Sequence, residues 1–143
     1  MRETPQQKYK NLGVVTTPFG GSTRGEARHP GVDIANNMGT PVKSTVSGRV
    51  VSKADGKVQG DKNLGNFVTV EDGQGNRHWY SHLKRGYVNV GDTVKKGQPL
   101  GEMGNSGAAY SKSGQGDGTH LDYRIVDAYG KYKNPMNFIK NLS

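Results

Sequence analysis

The residues of this chain that could do chemistry come in pairs. His120 and Asp122 stand two apart in GTHLDYRI, His29 and Asp33 stand four apart in HPGVD, and His78 and His82 stand four apart in NRHWYSHL. Imidazole moves protons near neutral pH and binds metals, and a carboxylate is an acceptor and a hard metal ligand. In extended chain an even separation puts both members of a pair on one face. Pro30 and Gly31 argue against a helix between His29 and Asp33, and Gly31 allows close approach of the backbone. By the same alternation Asn76, His78, Tyr80 and His82 share one face, opposite Arg77, Trp79, Ser81 and Leu83. In HLDYRIV, His120, Asp122, Arg124 and Val126 face away from Leu121, Tyr123 and Ile125, which pack on a core. A single exposed His or Asp is ordinarily a solvated surface residue. Here all four His fall in these segments, and the chain has no Cys, so thiolate ligands are excluded. Imidazoles with a carboxylate suit a catalytic zinc, which takes three protein ligands and keeps one position for water.

The elements that must position these groups are short. The chain has 143 residues, about one domain's worth, of which only 31% are hydrophobic while 22 are Gly and 6 are Pro. That balance predicts a mostly β fold in a single domain, since short strands and many turns use those residues and a helical bundle does not. The apolar residues fall in clusters (VVTTPF, GVDIA, PVKSTVSGRVVSKADG, NFVTVEDGQGNRHWYSHL, HLDYRIVDAYG) broken by D-G, Q-G and Y-G, the pattern of antiparallel strands and hairpins. NPMNFIKN, residues 134–141, is the one candidate helix, with Pro135 in its first turn. Residues 1–12 are polar and aperiodic and read as a linker or disordered terminus, leaving 13–143 as the domain. VNVGDTVKKGQPLG, from Val88 to Gly101, reads as a tight β corner. Lipoyl and biotinyl carrier domains look similar there, and Lys53 in SKADG would be the modified residue of such a carrier, although its surroundings lack the usual tip.

The formal charge of +8 favours a polyanionic partner. Lys and Arg are spread along the chain without a helix-turn-helix, zinc-finger or RNA-binding signature, so nucleic acid is not an expected partner. No segment approaches the roughly 18 apolar residues of a membrane span, and MRETPQQKYK lacks the apolar centre of a signal peptide.

Taken in order, TTPFGGSTRGEARHPGVDIANNMGTPVKSTVSGRVV, GNFVTVEDGQGNRHWYSHL, VNVGDTVKKGQPLGEMGNSG, THLDYRIV and NPMNFI resemble the lysostaphin-type peptidoglycan endopeptidases, from Thr17 to Ile139. The most specific parts are His29-x-x-x-Asp33 and Tyr80-x-His82-Leu83. The resemblance implies an antiparallel β-sheet floor, with loops such as Gly20 to Arg28 and Ala108 to Gly118 forming a narrow groove for wall peptides. It implies one zinc ion, bound by His29 and Asp33, with His82 and His120 as the catalytic, non-ligand histidines that deprotonate or position water and stabilise the oxyanion. The family's third ligand comes from a His-x-His motif, and here the motif is His120-x-Asp122. Carboxylate oxygen binds zinc at much the same distance as imidazole nitrogen, so Asp122 is the expected third ligand if its strand moves inward, with His78 the first substitute.

A neutral His in that place would leave the centre one positive charge; Asp122 leaves it none. The expectation is a more alkaline activity optimum, moved acidward by Asp122→His. Arg124, where the family more often shows Glu, is expected to pair with Asp122, to face substrate carboxylates or to be simply solvated. The implied activity is hydrolysis of peptide bonds in the stem or cross-bridge of bacterial peptidoglycan, by a monomer held on anionic cell-wall polymers, outside the cell, in the wall or on a virion such as a phage tail. The alternative is a catalytically inactive wall-binding or assembly module of the same fold.

Overall fold

The computed structural model describes residues 8–9, 12–21, 29–54, 64–106 and 118–142. Eleven strands follow one another: β1 (Lys8–Tyr9), β2 (Gly13–Thr17), β3 (Gly31–Ala35), β4 (Pro41–Lys43), β5 (Gly48–Ala54), β6 (Asn66–Glu71), β7 (Arg77–Gly86), β8 (Thr93–Val94), β9 (Pro99–Met103), β10 (Leu121–Val126) and β11 (Tyr132–Lys133). One helix, α1 (Met136–Leu142), ends the described chain. The mostly β, antiparallel architecture expected from the turn spacing is what is found, in the order β1-β2-β3-β10-β7-β6-β5-β8. β9 branches from the far half of β7 and carries β4 on its other edge.

The core face is set by register. Tyr123 lies across from Val32 and Tyr80, and Ile125 across from His78, while Val68 and Val70 continue these rows on β6. These side chains are buried with Ile34, Leu100, Met103 and Ile139. Burying such a set removes several side chains' worth of apolar surface from water, about 1.5–3 kcal/mol for each large one.

A polar chain runs through this core. The Asp72 carboxylate only accepts, so His78 Nε2–H donates to it across 2.9 Å. His78 Nδ1 then accepts from the Tyr123 hydroxyl at 2.6 Å. Tyr123 accepts in turn from Thr45 Oγ1 at 2.6 Å, and Thr45 accepts from Tyr80 at 2.7 Å. The Thr45 N–H closes the series on Tyr80 Oη at 3.0 Å. The buried hydroxyls of Thr45, Tyr80 and Tyr123 are thereby satisfied, and Thr45, just after β4, ties the β4–β9 arm across the core face.

Lys8–Tyr9 pairs with β2 and Leu12 is a core residue at 2% exposure; the rest of the segment expected as a linker lies outside the described residues. Two expectations are corrected here. Asn76, His78 and Tyr80 face the core instead of a functional surface, which removes His78 as a substitute ligand. Lys53 sits inside β5 opposite Val68, with Nζ 3.4 Å from Asn89, and not at a hairpin tip, so the carrier reading falls. The corner reading of Val88 to Gly101 holds: Gly91 and Gly97 take positive φ at turns between Val88, β8 and β9. The expected helix forms as α1, Met136–Leu142. Asn134 Oδ1 accepts from the Met136 N–H at 3.1 Å and Pro135 O from the Ile139 N–H at 3.2 Å, which ties its first turn to the two residues before it.

Candidate metal centre

The opposite face of the sheet holds the site. Asp33, Asp122 and Ser81 form one cross-strand row over β3, β10 and β7. Like charges directly opposite each other on neighbouring strands destabilise a sheet. Here both carboxylates are also buried, at 8% and 3% exposure. His29, 2% exposed, brings Nε2 to 2.8 Å from Asp33 Oδ1 and 3.8 Å from Asp122 Oδ1. Ligand atoms of His29, Asp33 and Asp122 all lie within 4.8 Å of one another. In a tetrahedral zinc shell with bonds of about 2.0–2.1 Å, ligand atoms stand roughly 3.3 Å apart, between the two distances from His29.

The chemistry of these donors fits a cation. Asp33 Oδ1 is buried and accepts no hydrogen bond among the described residues, although a ligand nitrogen lies 2.8 Å away. Burial works against a charged His29, but the Asp33 carboxylate and then the Asp122 charge outweigh it and raise the ring's pKa above its ordinary value. Two carboxylates and one imidazole thus form a cradle that draws positive charge.

His82 reaches the cradle through a break in β7. Asn66 pairs with Leu83 and Val68 with Tyr80, so β7 has one residue more than β6 between these points. Simple alternation would send His82 to the core face with His78 and Tyr80. Its φ of +63° turns it to the other side. That conformation costs an L residue about 1–2 kcal/mol, and such strain concentrates at functional sites. The surroundings hold it: His82 N–H donates to Leu64 O at 2.8 Å, and Ser106 Oγ donates to Leu83 O at 2.7 Å. Asn66 N–H donates to Ser106 Oγ at 3.0 Å, and Asn66 Nδ2 to Leu83 O at 3.1 Å. A Cβ on Gly104 would stand 2.5 Å from Lys84 N and 3.0 Å from His82 O, so only glycine lets the chain after β9 lie against the bulge.

Both outer histidines have an assigned proton. His82 Nδ1 is 2.6 Å from Ser106 O, and His120 Nδ1 is 2.7 Å from Gly118 O. A carbonyl only accepts, so each Nδ1 carries hydrogen and each neutral ring presents a lone pair at Nε2. His82 Nε2 is 3.8 Å from Asp122 Oδ2, and His120 Nε2 is 3.6 Å from Asp33 Oδ1. The ring centroids are 4.7 Å apart. Burial, and then the neighbouring His120, lower the His82 pKa from 6.5, keeping the ring neutral at pH 7.

All five expected site residues therefore meet at one place. Sequence reasoning missed Asn66 and Ser106; the turn residues of GNSG hinted at a loop but not at a carbonyl aimed at His82. It left three roles open for Arg124, and the ion pair is the one observed. Arg124 Nε and Nη2 donate to Asp122 Oδ1 and Oδ2 at 2.9 and 2.8 Å. Burial opposes ionisation of Asp122, but Arg124 and then the charges of His29 and His82 together outweigh it, so the carboxyl pKa is lowered. The guanidinium returns one positive charge to the centre. Most of the expected groove walls, Gly20 to Arg28 and Ala108 to Gly118, lie outside the described residues.

Comparison with known proteins follows the same line. The family model described as Peptidase family M23 matches residues 27–135. Lysostaphin of Staphylococcus simulans is 36% identical over 116 residues, 79% of this chain and 22% of that protein. Peptidoglycan DD-endopeptidase ShyA of Vibrio cholerae serotype O1 is 32% identical over 104 residues, 73% of this chain and 21% of that protein. The solved catalytic domain of the antimicrobial peptidase lysostaphin from Staphylococcus simulans matches with a TM-score of 0.69 at 32% identity, covering 92% of each chain. The chain spans about a fifth of the length of these two curated relatives.

Proposed function

The chain belongs to peptidase family M23, and from that premise we propose that it is a zinc-dependent endopeptidase that hydrolyses peptide bonds in the stem or cross-bridge of bacterial peptidoglycan. The observation that carries the proposal is the buried Asp33 oxygen without a hydrogen bond, brought to 2.8 Å from His29 Nε2 beside a second buried carboxylate. His29, Asp33 and Asp122 would hold one zinc ion, which acidifies water and polarises a scissile carbonyl when bound. His82, neutral with its Nε2 lone pair facing the cradle, takes the proton from the attacking water. His120 donates from Nε2 to the developing oxyanion once it carries a second proton. Ser106 O and Gly118 O keep both rings from turning over. The relatives named above support a wall peptide as substrate, and the net charge of +8 favours retention on anionic wall polymers outside the cell.

A second reading is favoured by one contact: Arg124 occupies both oxygens of Asp122, as a purely structural ion pair would in a domain that binds the wall without cutting it. Release of soluble fragments from purified peptidoglycan separates the two. Under the first reading release occurs, stops with a chelator, returns with stoichiometric zinc, and does not return in Asp33→Ala. Wall binding without release would establish the second, and chelator-resistant release would contradict the zinc requirement.

A further inference from the structure

Asp122 differs from the other two cradle residues in what surrounds it. A carboxylate's Cβ–Cγ torsion is broad, so an Asp side chain does not orient itself. Asp122 is fixed from outside: the Arg124 fork takes one lone pair on each oxygen, at 2.9 and 2.8 Å. A carboxylate offers about four acceptor positions. The remaining ones face His29 Nε2 on the Oδ1 side and His82 Nε2 on the Oδ2 side, each at 3.8 Å.

The fork is itself held by the fold. Arg124 stands across from Gly31 on β3 and Trp79 on β7, and its side chain is only 16% exposed. A Cβ on Gly31 would lie 2.7 Å from Arg124 Cγ and 2.4 Å from Tyr123 O. The missing side chain at Gly31, inside the segment that joins His29 to Asp33, is thus the space that the stem of Arg124 fills. A solvated surface arginine needs no such niche. Without the guanidinium, two buried carboxylates would face one another with only imidazoles close by among the described residues, those of His29, His82 and His120 at 2.8 to 3.8 Å.

Resting on the zinc reading above, we infer that Arg124 is a positioning residue for the metal centre: its fork sets the plane of the Asp122 carboxylate and balances its charge, so that Asp122 and Arg124 serve as one ligand unit. The guanidinium has no lone pair to offer a metal, so it aids binding only by way of Asp122. Replacing Asp122 by a neutral imidazole therefore removes the need for it, and leaves a cation that only repels the metal.

Zinc affinity, measured by competition with a chromogenic chelator, tests this without reference to turnover. In the Asp122 background, Arg124→Gln should weaken zinc binding about 10–100-fold, the usual cost of losing an outer partner of a ligand, and Arg124→Lys should recover only part of it because a point charge cannot hold both oxygens. In the Asp122→His background, Arg124→Gln should cause no loss. Circular dichroism confirms the fold of each variant, and the lysine variant keeps the charge and stem should the glutamine variant not fold. Unchanged affinity in Arg124→Gln, equal losses in both backgrounds, or full recovery by lysine would overturn the inference. Wild-type affinity in Asp122→Ala would instead overturn the zinc reading on which it rests, a failure distinguishable from the others.

Discussion

Residue by residue, the histidines divide by what their Nδ1 atoms do. His82 and His120 each spend Nδ1–H on a backbone carbonyl and turn Nε2 inward, whereas His78 spends both nitrogens inside the core. His82→Ala should therefore leave zinc content at the wild-type level and lower turnover about 10²–10⁴-fold, the range for loss of a proton-transfer group. Metal analysis beside a fragment-release assay checks this, and loss of zinc from the variant would place His82 among the ligands. That His29, Asp33, His82, His120 and Asp122 form one set is what the family resemblance implies; their types and spacings alone also admit His78. The geometry of His82 was not legible in the sequence. Alternation grouped it with His78 and Tyr80, and it reaches the site only because φ at +63° reverses its direction. A positive φ at a non-glycine residue leaves no mark in composition or period. Arg124 was equally opaque, since a two-residue spacing on a strand allows the ion pair but does not require it.

The elements were read more successfully than the faces they present. Turn dipeptides and alternating apolar residues announced the antiparallel strands, because those signals are local. Which face of β7 is buried depends on β10 and on Thr45 after β4, contacts far away in sequence, and the polar chain through His78 gives a core strand the look of a functional one. That chain has a consequence for stability. Burial lowers the His78 pKa from 6.5, with the Asp72 contact pulling the other way without prevailing. The unfolded chain then binds more protons than the folded one as pH falls through about 6.5, so folding is weakened on that side. Asp72 adds to this at lower pH: burial alone would raise its pKa, but hydrogen bonds from His78 and nearby backbone lower it from 3.8. Its stabilisation is present above that value and lost as pH falls through the lower folded one. Urea midpoints from pH 7.5 to 5 should decline less steeply in His78→Asn than in wild type, while the variant is less stable at pH 7.5. Parallel curves would show that His78 is not the group being protonated.

For the whole molecule, one sheet does two jobs on two faces: a core face of apolar side chains and one satisfied polar chain, and an opposite face where β3, β10 and β7 carry a cluster of buried ionisable groups. The first makes the second possible, because a rigid floor is what holds two carboxylates at close range against their repulsion. Composition could foretell the β class. It could not foretell the bend of β7 or the arm formed by β4 and β9, which depend on long-range pairing. Among the described residues no helix is long and apolar enough to cross a membrane. Native mass spectrometry of the intact protein after zinc loading and exhaustive dialysis tests most directly whether His29, Asp33 and Asp122 hold a single divalent cation. One zinc per wild-type chain and none in Asp33→Ala or Asp122→Ala is the expected result; a metal-free wild type, or variants that keep the ion, would overturn the assignment.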